Sequence, residues 1–376
     1  MRMVPTLSRS QARRIAVRAQ ALEAERPADV LDVVRRLTFI KVDPVSAVAP
    51  SADVVLWSRL GEAYDPADLT RALEVDRTLF ELDLMIRPME DLPLFRPIMR
   101  AAPAYERTRD WLAANATFRG DVLVRLSAEG PLPATEIPDT SAVPWSSTGW
   151  TNDRNVQRML ELLGDRGELA VAGRRDGARL WDLAERVYPA APAALTDDDL
   201  DDDAAYRRRN ERRLASLGIL REGRGSSSPG EPIDTRGIGE PVQVEGLRGT
   251  WRVDPEALAR VDEPLAPRTA LLSPLDRLVF DRRRLGELWG VEYVLEMYKP
   301  RDQRRWGYWA MPILHGDRLV GKVDATADRE AGALRVDAIH EDEPFTREVV
   351  EAVFGELDSL AAWLGLEVAG RAVGLG

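Results

Sequence analysis

One short run, ELAVAGRRDGARLWDL, limits the possible fold more than any other part of the chain. Residues alternate on both sides of Asp176-Gly177, and Asp-Gly between two alternating runs predicts a β-hairpin with a two-residue turn. Two helical patterns precede it, Phe118–Glu129 ending at Gly130, and Thr151–Gly167. Helix, turn, helix and basic hairpin is the order of a winged helix. We therefore predict a winged helix in this part of the chain.

The predicted winged helix has polar residues where such modules contact DNA. In these modules the second helix enters a groove and the hairpin contacts the backbone. Side chains suited to phosphates and base edges occupy the outward face of that helix and the hairpin: Asn152, Arg154, Asn155, Gln157, Arg158, Arg174 and Arg175. Winged helices also serve as protein-interaction modules, so on these residues alone DNA and protein partners both stay open.

The charges of the chain are unevenly distributed. A formal net charge of −11 speaks against nucleic acid, because phosphate contacts normally come with basic surface. However, six aspartates stand in TDDDLDDD and five arginines in the nearby YRRRNERR. A basic face can therefore coexist with an acidic total.

Similar patterns on both sides of the central unit indicate three tandem winged helices. The first hundred residues are helical, with a helix cap at Ser8 or Ser10 and one extended stretch, Leu79–Pro88. Beyond the central unit, a basic helix at 204–220 precedes a hairpin in VQVEGLRGTWRVD. The predicted units are 1–116, 117–195 and 196–268, the last with a flexible loop at 223–232.

From Ala270 the pattern changes to strands. EYVLEMYK, RRWGYWAMPIL, RLVGKVDATAD and ALRVDAI are strand-like, and His315-Gly316-Asp317 forms a tight turn. We predict a small antiparallel β-barrel or curled sheet over 269–376, with a C-terminal helix at Phe345–Trp363. The predicted fold class is thus α+β, with three tandem winged-helix units followed by a β-barrel and a helix.

The composition excludes several kinds of chemistry. The chain has no cysteine and only two histidines, His315 and His340, which excludes thiol nucleophiles, cysteine zinc sites and iron–sulfur clusters. It has no Walker A or Rossmann glycine pattern and no G-x-S-x-G elbow near a histidine. We expect no metal or organic cofactor. No apolar run approaches the roughly 18 residues of a membrane span, and no signal-peptide pattern is seen. The expected location is the cytoplasm, at the nucleoid.

A lysine and an aspartate interrupt the apolar stretch FIKVDPVSAVAPSADVVLWSRLG. Its first five residues alternate, which predicts a strand with Phe39, Lys41 and Asp43 on one face. Ser51 and Asp53 then predict a capped helix start. Such a Lys-x-Asp is either a solvated pair or part of a site, and its spacing alone does not decide between them.

Three strings in the chain resemble a known family. VDPVSAVAPSADVVLWSRLG, LLSPLDRLVFDRRR and YWAMPILHGDRLVGKVDATADREAGAL are similar to the winged-helix DNA glycosylases of the YcaQ and AlkZ type. The resemblance covers nearly the whole chain. It implies three tandem winged helices around a concave surface, a C-terminal β-barrel and excision of alkylated purines, including bulky adducts at guanine N7. It also implies a monomer whose partner is double-stranded DNA carrying alkylated bases.

The resemblance also implies a catalytic site. The family motif, Gln-apolar-Gln or Gln-apolar-Asp, falls on Lys41-Val42-Asp43. Asp43 matches the acidic version and is implied as the carboxylate that stabilises an oxocarbenium-like sugar and orients water. Lysine replaces the glutamine, and three roles are open to Lys41: a partner that keeps Asp43 ionised, a phosphate contact, or an amine that forms a Schiff base. The alternative is a non-catalytic DNA-binding protein with a degenerate site.

Further site residues follow from the same resemblance. A family segment, tryptophan-alanine-histidine-glutamate, falls near residues 80–83, where Glu81 and Asp83 are expected as supporting acids and the histidine is missing. Arg305 and Trp306 are expected to line or wedge the duplex, with barrel packing as the alternative. His315 stands in a shared string and is expected either to touch DNA or to cap its own turn.

Overall fold

The computed structural model describes residues 4–43, 45–146, 154–188, 201–226 and 231–370. The chain divides into two compact units. Unit 1 combines Met1–Pro66 with Arg209–Gly376, and unit 2 is Ala67–Arg208. Both units contain helices and strands, so the predicted α+β class is confirmed.

The secondary-structure elements of the described residues are numbered in chain order. The α-helices are α1 (Arg9–Ala19), α2 (Val30–Leu37), α3 (Ser51–Leu60), α4 (Pro66–Glu74), α5 (Leu92–Arg100), α6 (Glu106–Ala114), α7 (Ala116–Glu129), α8 (Asn155–Asp165), α9 (Ala184–Val187), α10 (Asp202–Leu217), α11 (Pro255–Ala259), α12 (Arg277–Phe280), α13 (Arg282–Trp289) and α14 (Arg347–Leu364). The strands are β1 (Thr6–Leu7), β2 (Ile40–Lys41), β3 (Leu79–Leu82), β4 (Met85–Pro88), β5 (Leu132–Pro133), β6 (Leu169–Arg175), β7 (Ala178–Leu183), β8 (Ile219–Arg221), β9 (Arg224–Ser226), β10 (Pro232–Asp234), β11 (Glu240–Val244), β12 (Trp251–Val253), β13 (Thr269–Leu271), β14 (Met311–His315), β15 (Arg318–Asp328), β16 (Ala333–Glu341) and β17 (Glu367–Ala369).

The first sheet of unit 1 has the order β1-β11-β12-β8. β1 pairs parallel with β11, and the other two pairs are antiparallel. The predicted hairpin in VQVEGLRGTWRVD is confirmed as β11 and β12. α1 packs in the same core through Ile15, which is 1% exposed, close to Trp251 at 0%. Ser8 caps α1 as predicted, because its hydroxyl accepts the N–H of Gln11 and its own N–H donates to the Gln11 side chain.

The second sheet of unit 1 is mixed and has the order β13-β14-β15-β16-β17. All pairs are antiparallel except β16 with β17. The strands RLVGKVDATAD and ALRVDAI are confirmed as β15 and β16, and the C-terminal helix as α14. β13 and β17 are the two edge strands of this sheet in the described part of the chain, so it is a half-barrel, which matches the predicted curled sheet and not the predicted closed barrel. The register shifts by one residue in two places, which puts one bulge in β15 and one in β16 and bends the sheet locally.

Residues 292–299, EYVLEMYK, form no strand, contrary to the prediction. Two of their side chains, Tyr293 and Glu296, are each 3% exposed although they stand three residues apart, a spacing that puts them on opposite faces of a strand. The Tyr293 hydroxyl donates to the carbonyl of Ala310 at 2.7 Å, and the Glu296 carboxylate accepts the N–H of Arg305 at 2.7 Å. Tyr293 and Glu296 thus hold an irregular segment in place.

Unit 2 contains α6, α7, β5, α8, β6 and β7 in this order, with β7 between the other two strands. Asp176 and Gly177 have φ values of 52° and 79°, which confirms the predicted two-residue hairpin turn. Gly130 ends α7, also as predicted. Phe118 and Trp181 belong to a core that joins these helices and strands.

The first turn of α8 differs from the prediction. Asn152 lies outside the described residues, and Asn155 does not face outward, since it is only 7% exposed. The side-chain oxygen of Asn155 accepts the N–H of Trp145 at 2.6 Å, and its amide group donates to Asp139 and Ser141. Asn155 therefore fastens α8 to the loop before it.

Candidate active site and DNA-contact residues

The Lys41-Val42-Asp43 segment follows directly on a buried turn after α2. Thr38 ends α2 in the left-handed region, with φ 62°. Phe39 and Ile40 come next and are 2% and 1% exposed. The predicted five-residue alternating strand is therefore wrong, because two consecutive side chains are buried and only β2 is extended enough to pair. Lys41 and Asp43 are both partly exposed, which places the polar pair at the edge of the core.

Arg277 fixes the turn that leads into this segment. Its guanidinium carbon lies 4.1 Å from the centre of the Phe39 ring. Its Nη1 donates to the carbonyl of Leu37 and, at 2.6 Å, to the hydroxyl of Thr38. Arg277 is 4% exposed, and a planar cation with donors in a rigid fork holds such a position better than lysine. Arg277 is therefore a positioning residue for the motif, a role for which the sequence carried no chemical signal.

Two other residues of the LLSPLDR string hold α3, the helix that follows the motif. The hydroxyls of Ser273 and Ser51 lie 2.7 Å apart in a buried position. Asp276 forms an ion pair with Arg59, and both side chains are 0% exposed. The predicted cap of α3 by Ser51 is wrong, because the N-cap position is Pro50 and Ser51 bonds to Ser273 instead. The LLSPLDR string thus supports both helices that flank the motif.

Asp43 carries a carboxylate held against its own backbone. Its Oδ1 accepts the N–H of Val45 at 2.9 Å, a hydrogen bond typical of an Asx turn. An ionised carboxylate has about four acceptor sites, so this bond leaves capacity for a water molecule or a substrate group. With Lys41 two residues earlier, the segment offers one anchored anion and one cation.

The two acids of the second family segment lie in the β3–β4 hairpin of unit 2. Glu81 is 5% exposed, and its carboxylate pairs with Arg174 at 2.5 Å and Arg179 at 3.2 Å. Asp83 is exposed in the turn with φ 51°, next to Leu84 with φ 58°. A leucine at positive φ is an outlier that the surrounding structure must impose. Glu81 is thus a buried counter-ion for arginines of the neighbouring β6–β7 hairpin, whereas Asp83 stands at a strained turn.

A cavity of about 150 Å³ lies beside this turn within unit 2, and Glu81, Asp83, Arg158 and Asp165 are among its lining residues. Desolvation by the surrounding protein, reinforced by the charge of Asp83, raises the pKa of Asp165 to about 6. Asp165 keeps contact with solvent at the same time. It is therefore a carboxyl group that can exchange its proton in the mildly acidic range.

The predicted DNA-contact arginines of unit 2 differ in their surroundings. Arg154 is exposed at the N-terminal end of α8. The other three have acidic partners: Arg158 with Glu161, Arg174 with Glu81, and Arg175 with Glu136. A phosphate would have to compete with a carboxylate for each of these three.

The predicted DNA-contact residues of unit 1 are also engaged in local contacts. Arg305 is exposed, lies 3.5 Å from the Glu292 carboxylate and packs over the Trp306 ring at 4.9 Å. Trp306 is 7% exposed, so its ring offers little surface to a partner. The Nδ1 atom of His315 lies 2.9 Å from the hydroxyl of Thr269 on the neighbouring strand.

The predicted site residues are divided between the two units. Unit 1 holds Lys41, Asp43, Arg305, Trp306 and His315, and unit 2 holds Glu81, Asp83, Arg154, Arg158, Arg174 and Arg175. In the described parts of the chain, no helix combines the length and apolarity of a membrane span. Nor do three or more histidine or carboxylate side chains of those parts come together as metal ligands.

Comparison with known proteins gives the reaction class. A model of the family described as "DNA glycosylase AlkZ-like" matches residues 34–363. The chain belongs to the AlkZ-like DNA glycosylase family. The match includes the Lys41-Val42-Asp43 segment and the LLSPLDR string that supports it. It confirms the resemblance seen in the three sequence strings and the enzyme class, DNA glycosylase.

A solved structure shares the fold. The DNA glycosylase AlkZ of Streptomyces sahachiroi superimposes with a TM-score of 0.61 at 16% sequence identity. The similarity covers 97% of this chain and 99% of that one. This AlkZ-like protein therefore has the same fold as AlkZ along almost its whole length, although most side chains differ.

Proposed function

We propose that this AlkZ-like protein hydrolyses the N-glycosidic bond of alkylated purines in double-stranded DNA, with Asp43 as the catalytic carboxylate. The observation that carries the proposal is the anchored, partly exposed carboxylate of Asp43 at the position of the family motif. Arg277 and Ser273 support the segment from both sides. The family supplies the reaction class, and the chemistry of the segment suggests the substrate.

The substrate follows from the acids and bases that the segment contains. An N7-alkylated purine is already cationic, so it leaves without a strong general acid, and the segment contains no histidine. When the bond from C1′ to N9 breaks, its electron pair neutralises the purine and leaves an oxocarbenium-like sugar. Asp43 stabilises that cation and accepts the proton of the water that adds to C1′.

Lys41 is proposed as an electrostatic residue and not as a nucleophile. An amine nucleophile needs a desolvated lysine of depressed pKa, whereas Lys41 is partly exposed and stands two residues from Asp43. A cation at this position suits a backbone phosphate beside the lesion. The proposed reaction is therefore hydrolysis without a Schiff base.

The proposed DNA-binding architecture is a monomer with three tandem winged helices, 1–116, 117–195 and 196–268, followed by the domain 269–376. The order α7, β5, α8 and β6–β7 supports the second of these units. The order α10, β8 and β11–β12 supports the third, and both end in a two-stranded hairpin. In such units the helix before the hairpin meets the duplex.

A single-turnover assay on duplex DNA containing one N7-methylguanine tests the proposal, with alkaline cleavage to reveal abasic sites. Wild-type protein is expected to release the base, and Asp43→Asn to slow release about 100-fold or more, the usual effect of losing a general base. Lys41→Gln, which restores the family residue, is expected to release base without any adduct trapped by borohydride. Glu348→Gln, on the first turn of α14, is the charge-matched control and is expected to behave as wild type.

Three outcomes would contradict the proposal. Wild-type rates in Asp43→Asn would remove Asp43 from the mechanism. A borohydride adduct that is lost in Lys41→Gln would replace hydrolysis by lyase chemistry. Tight binding without any base release would favour the non-catalytic DNA-binding alternative.

A further inference from the structure

Tyr298 has the most exposed large hydrophobic side chain among the described residues, at 85%. It opens the run YKPRDQRR, residues 298–305, which we call the basic loop. The basic loop has four cations and one anion, a net charge of +3, in a chain whose net charge is −11. An exposed aromatic ring among cations is the surface that proteins use to bind single bases and the phosphates beside them.

A buried carboxylate anchors the basic loop on its inner side. Glu296 is 3% exposed and accepts the N–H groups of Arg305 at 2.7 Å and Trp306 at 2.8 Å. It also accepts a hydrogen bond from the ammonium group of Lys299 at 2.7 Å. The carbonyl of Lys299 in turn accepts a hydrogen bond from Arg304 Nε at 2.9 Å. The loop is therefore folded on itself and does not need a partner to take up this conformation.

A second carboxylate holds the chain just after the basic loop. Asp324, on β15, is 8% exposed and accepts the N–H groups of Tyr308 at 3.1 Å and Trp309 at 2.9 Å. Gly307 has φ +114°, and a Cβ atom there would lie only 1.8 Å from Asp324 Oδ2. Glycine is thus required at the point where the chain passes over this carboxylate.

The aromatic residue best placed to meet a partner is not the one expected from the sequence. Trp306 is buried and packs against the ring of Tyr293 and the ammonium group of Lys322, which lies 4.8 Å from its centroid. Tyr298 and Tyr308 are exposed instead, and the Arg304 guanidinium lies over the Tyr308 ring at 5.0 Å. Trp306 forms the base of the loop and the tyrosines form its surface.

We propose that the basic loop is a DNA-contacting element in which Tyr298 stacks on a base that has lost its stacking partner beside the lesion, while Arg301 binds a backbone phosphate. A preformed loop loses little conformational entropy on binding, and stacking on an aromatic ring is tolerant of base identity. The inference rests on the assignment to a DNA glycosylase family. It depends neither on Asp43 nor on the identity of the lesion.

Fluorescence anisotropy with two labelled duplexes tests the inference, one fully paired and one with a tetrahydrofuran abasic analogue that leaves its opposite base unpaired. Tyr298→Ala is expected to weaken binding to the abasic-analogue duplex about tenfold or more, whereas Tyr298→Phe keeps the ring and the affinity. Arg301→Ala is expected to weaken binding to both duplexes equally and to lower the salt slope by about one. Tyr105→Ala removes a tyrosine of unit 2 that is 79% exposed and is the matched control.

Wild-type affinity of Tyr298→Ala for both duplexes would overturn the inference, as would a loss no larger than that of Tyr105→Ala. Base release from N7-methylguanine by the wild-type protein is measured separately. If the wild type releases no base but Tyr298→Ala still weakens binding, the proposed substrate fails and the loop inference stands. If the wild type releases the base but Tyr298→Ala binds both duplexes with wild-type affinity, the proposed substrate stands and the loop inference fails.

Discussion

Arg277 stacks on the ring of Phe39 at 4.1 Å while it donates hydrogen bonds to the last turn of α2. These contacts fix the direction in which the chain leaves the helix and enters Lys41-Val42-Asp43. The position of the proposed catalytic carboxylate therefore depends on a side chain from a distant part of the sequence.

Arg277→Lys is expected to slow base release while leaving the affinity for undamaged DNA unchanged. Lysine keeps the charge but loses the planar fork that both stacks and bonds, and a small displacement of a catalytic group costs up to about 100-fold in rate. Single-turnover rates and anisotropy measure the two effects. Arg282→Lys is the matched control, because Arg282 stacks on Tyr293 at 4.5 Å and does not reach α2. An equal fall in rate and affinity would contradict a positioning role.

Breaking the ion pair between Arg59 and Asp276 is expected to destabilise the protein strongly. Both side chains are fully buried, so Arg59→Met or Asp276→Asn alone leaves an uncompensated buried group at a cost of about 3–5 kcal/mol. The double variant Arg59→Met, Asp276→Asn is expected to lose less than the sum of the two single changes. Urea denaturation measures these free energies. The exposed pair Arg347–Glu351 is the control, and its loss should cost less than about 1 kcal/mol. Additive losses in the double variant would contradict the coupling.

Asp165 is expected to make unit 2 less stable as the pH rises. Its pKa is raised from 3.8 to about 6, so the folded protein binds this proton more tightly than the unfolded chain. Its contribution to stability is full below about pH 4 and is lost by about pH 6. The melting temperature of the wild type, relative to that of Asp165→Asn, should therefore fall as the pH rises over this range. Asp83→Asn removes a neighbouring negative charge and should shift the change to lower pH. A difference independent of pH would contradict the assignment.

Gly307→Ala is expected to destabilise the protein and weaken DNA binding together. The new Cβ atom would meet Asp324 at a φ of +114°, and a strained backbone of this kind costs about 1–3 kcal/mol before any clash is added. Gly355→Ala, within α14, meets nothing within 4 Å and should gain up to about 1 kcal/mol. Thermal unfolding and anisotropy on the same preparations check both effects. Wild-type stability of Gly307→Ala would show that the Asp324 anchor is dispensable.

Sequence patterns correctly predicted those helix ends and turns that depend on contacts between neighbouring residues. Ser8 caps α1 through a reciprocal pair of hydrogen bonds, and Asp176-Gly177 turns a hairpin through positive φ values. Such features depend on neighbouring residues only. The strand predicted for 292–299 is wrong because Tyr293 and Glu296 bond to residues later in the chain and hold the segment in an irregular conformation.

The candidate site was located by family resemblance, and its support was not predicted. Arg277 and Ser273 lie in the LLSPLDR string, but nothing in their spacing indicates contacts with Thr38 or Ser51. The wrong cap assignment at Ser51 has the same origin, because a distant serine takes its hydroxyl. Long-range hydrogen bonds leave no periodic pattern in a sequence.

The division of unit 1 into two separate stretches of chain has a consequence for synthesis. The motif at residues 41–43 leaves the ribosome early, but Ser273, Asp276 and Arg277 follow only after the whole of unit 2 has been made. Unit 2 is continuous and can fold first, since domains generally fold as units during synthesis. Until the later stretch emerges, Phe39 lacks the guanidinium that covers its ring and Arg59 lacks its counter-ion. The nascent chain thus acquires its proposed catalytic geometry only after unit 2 and the LLSPLDR string have both been made.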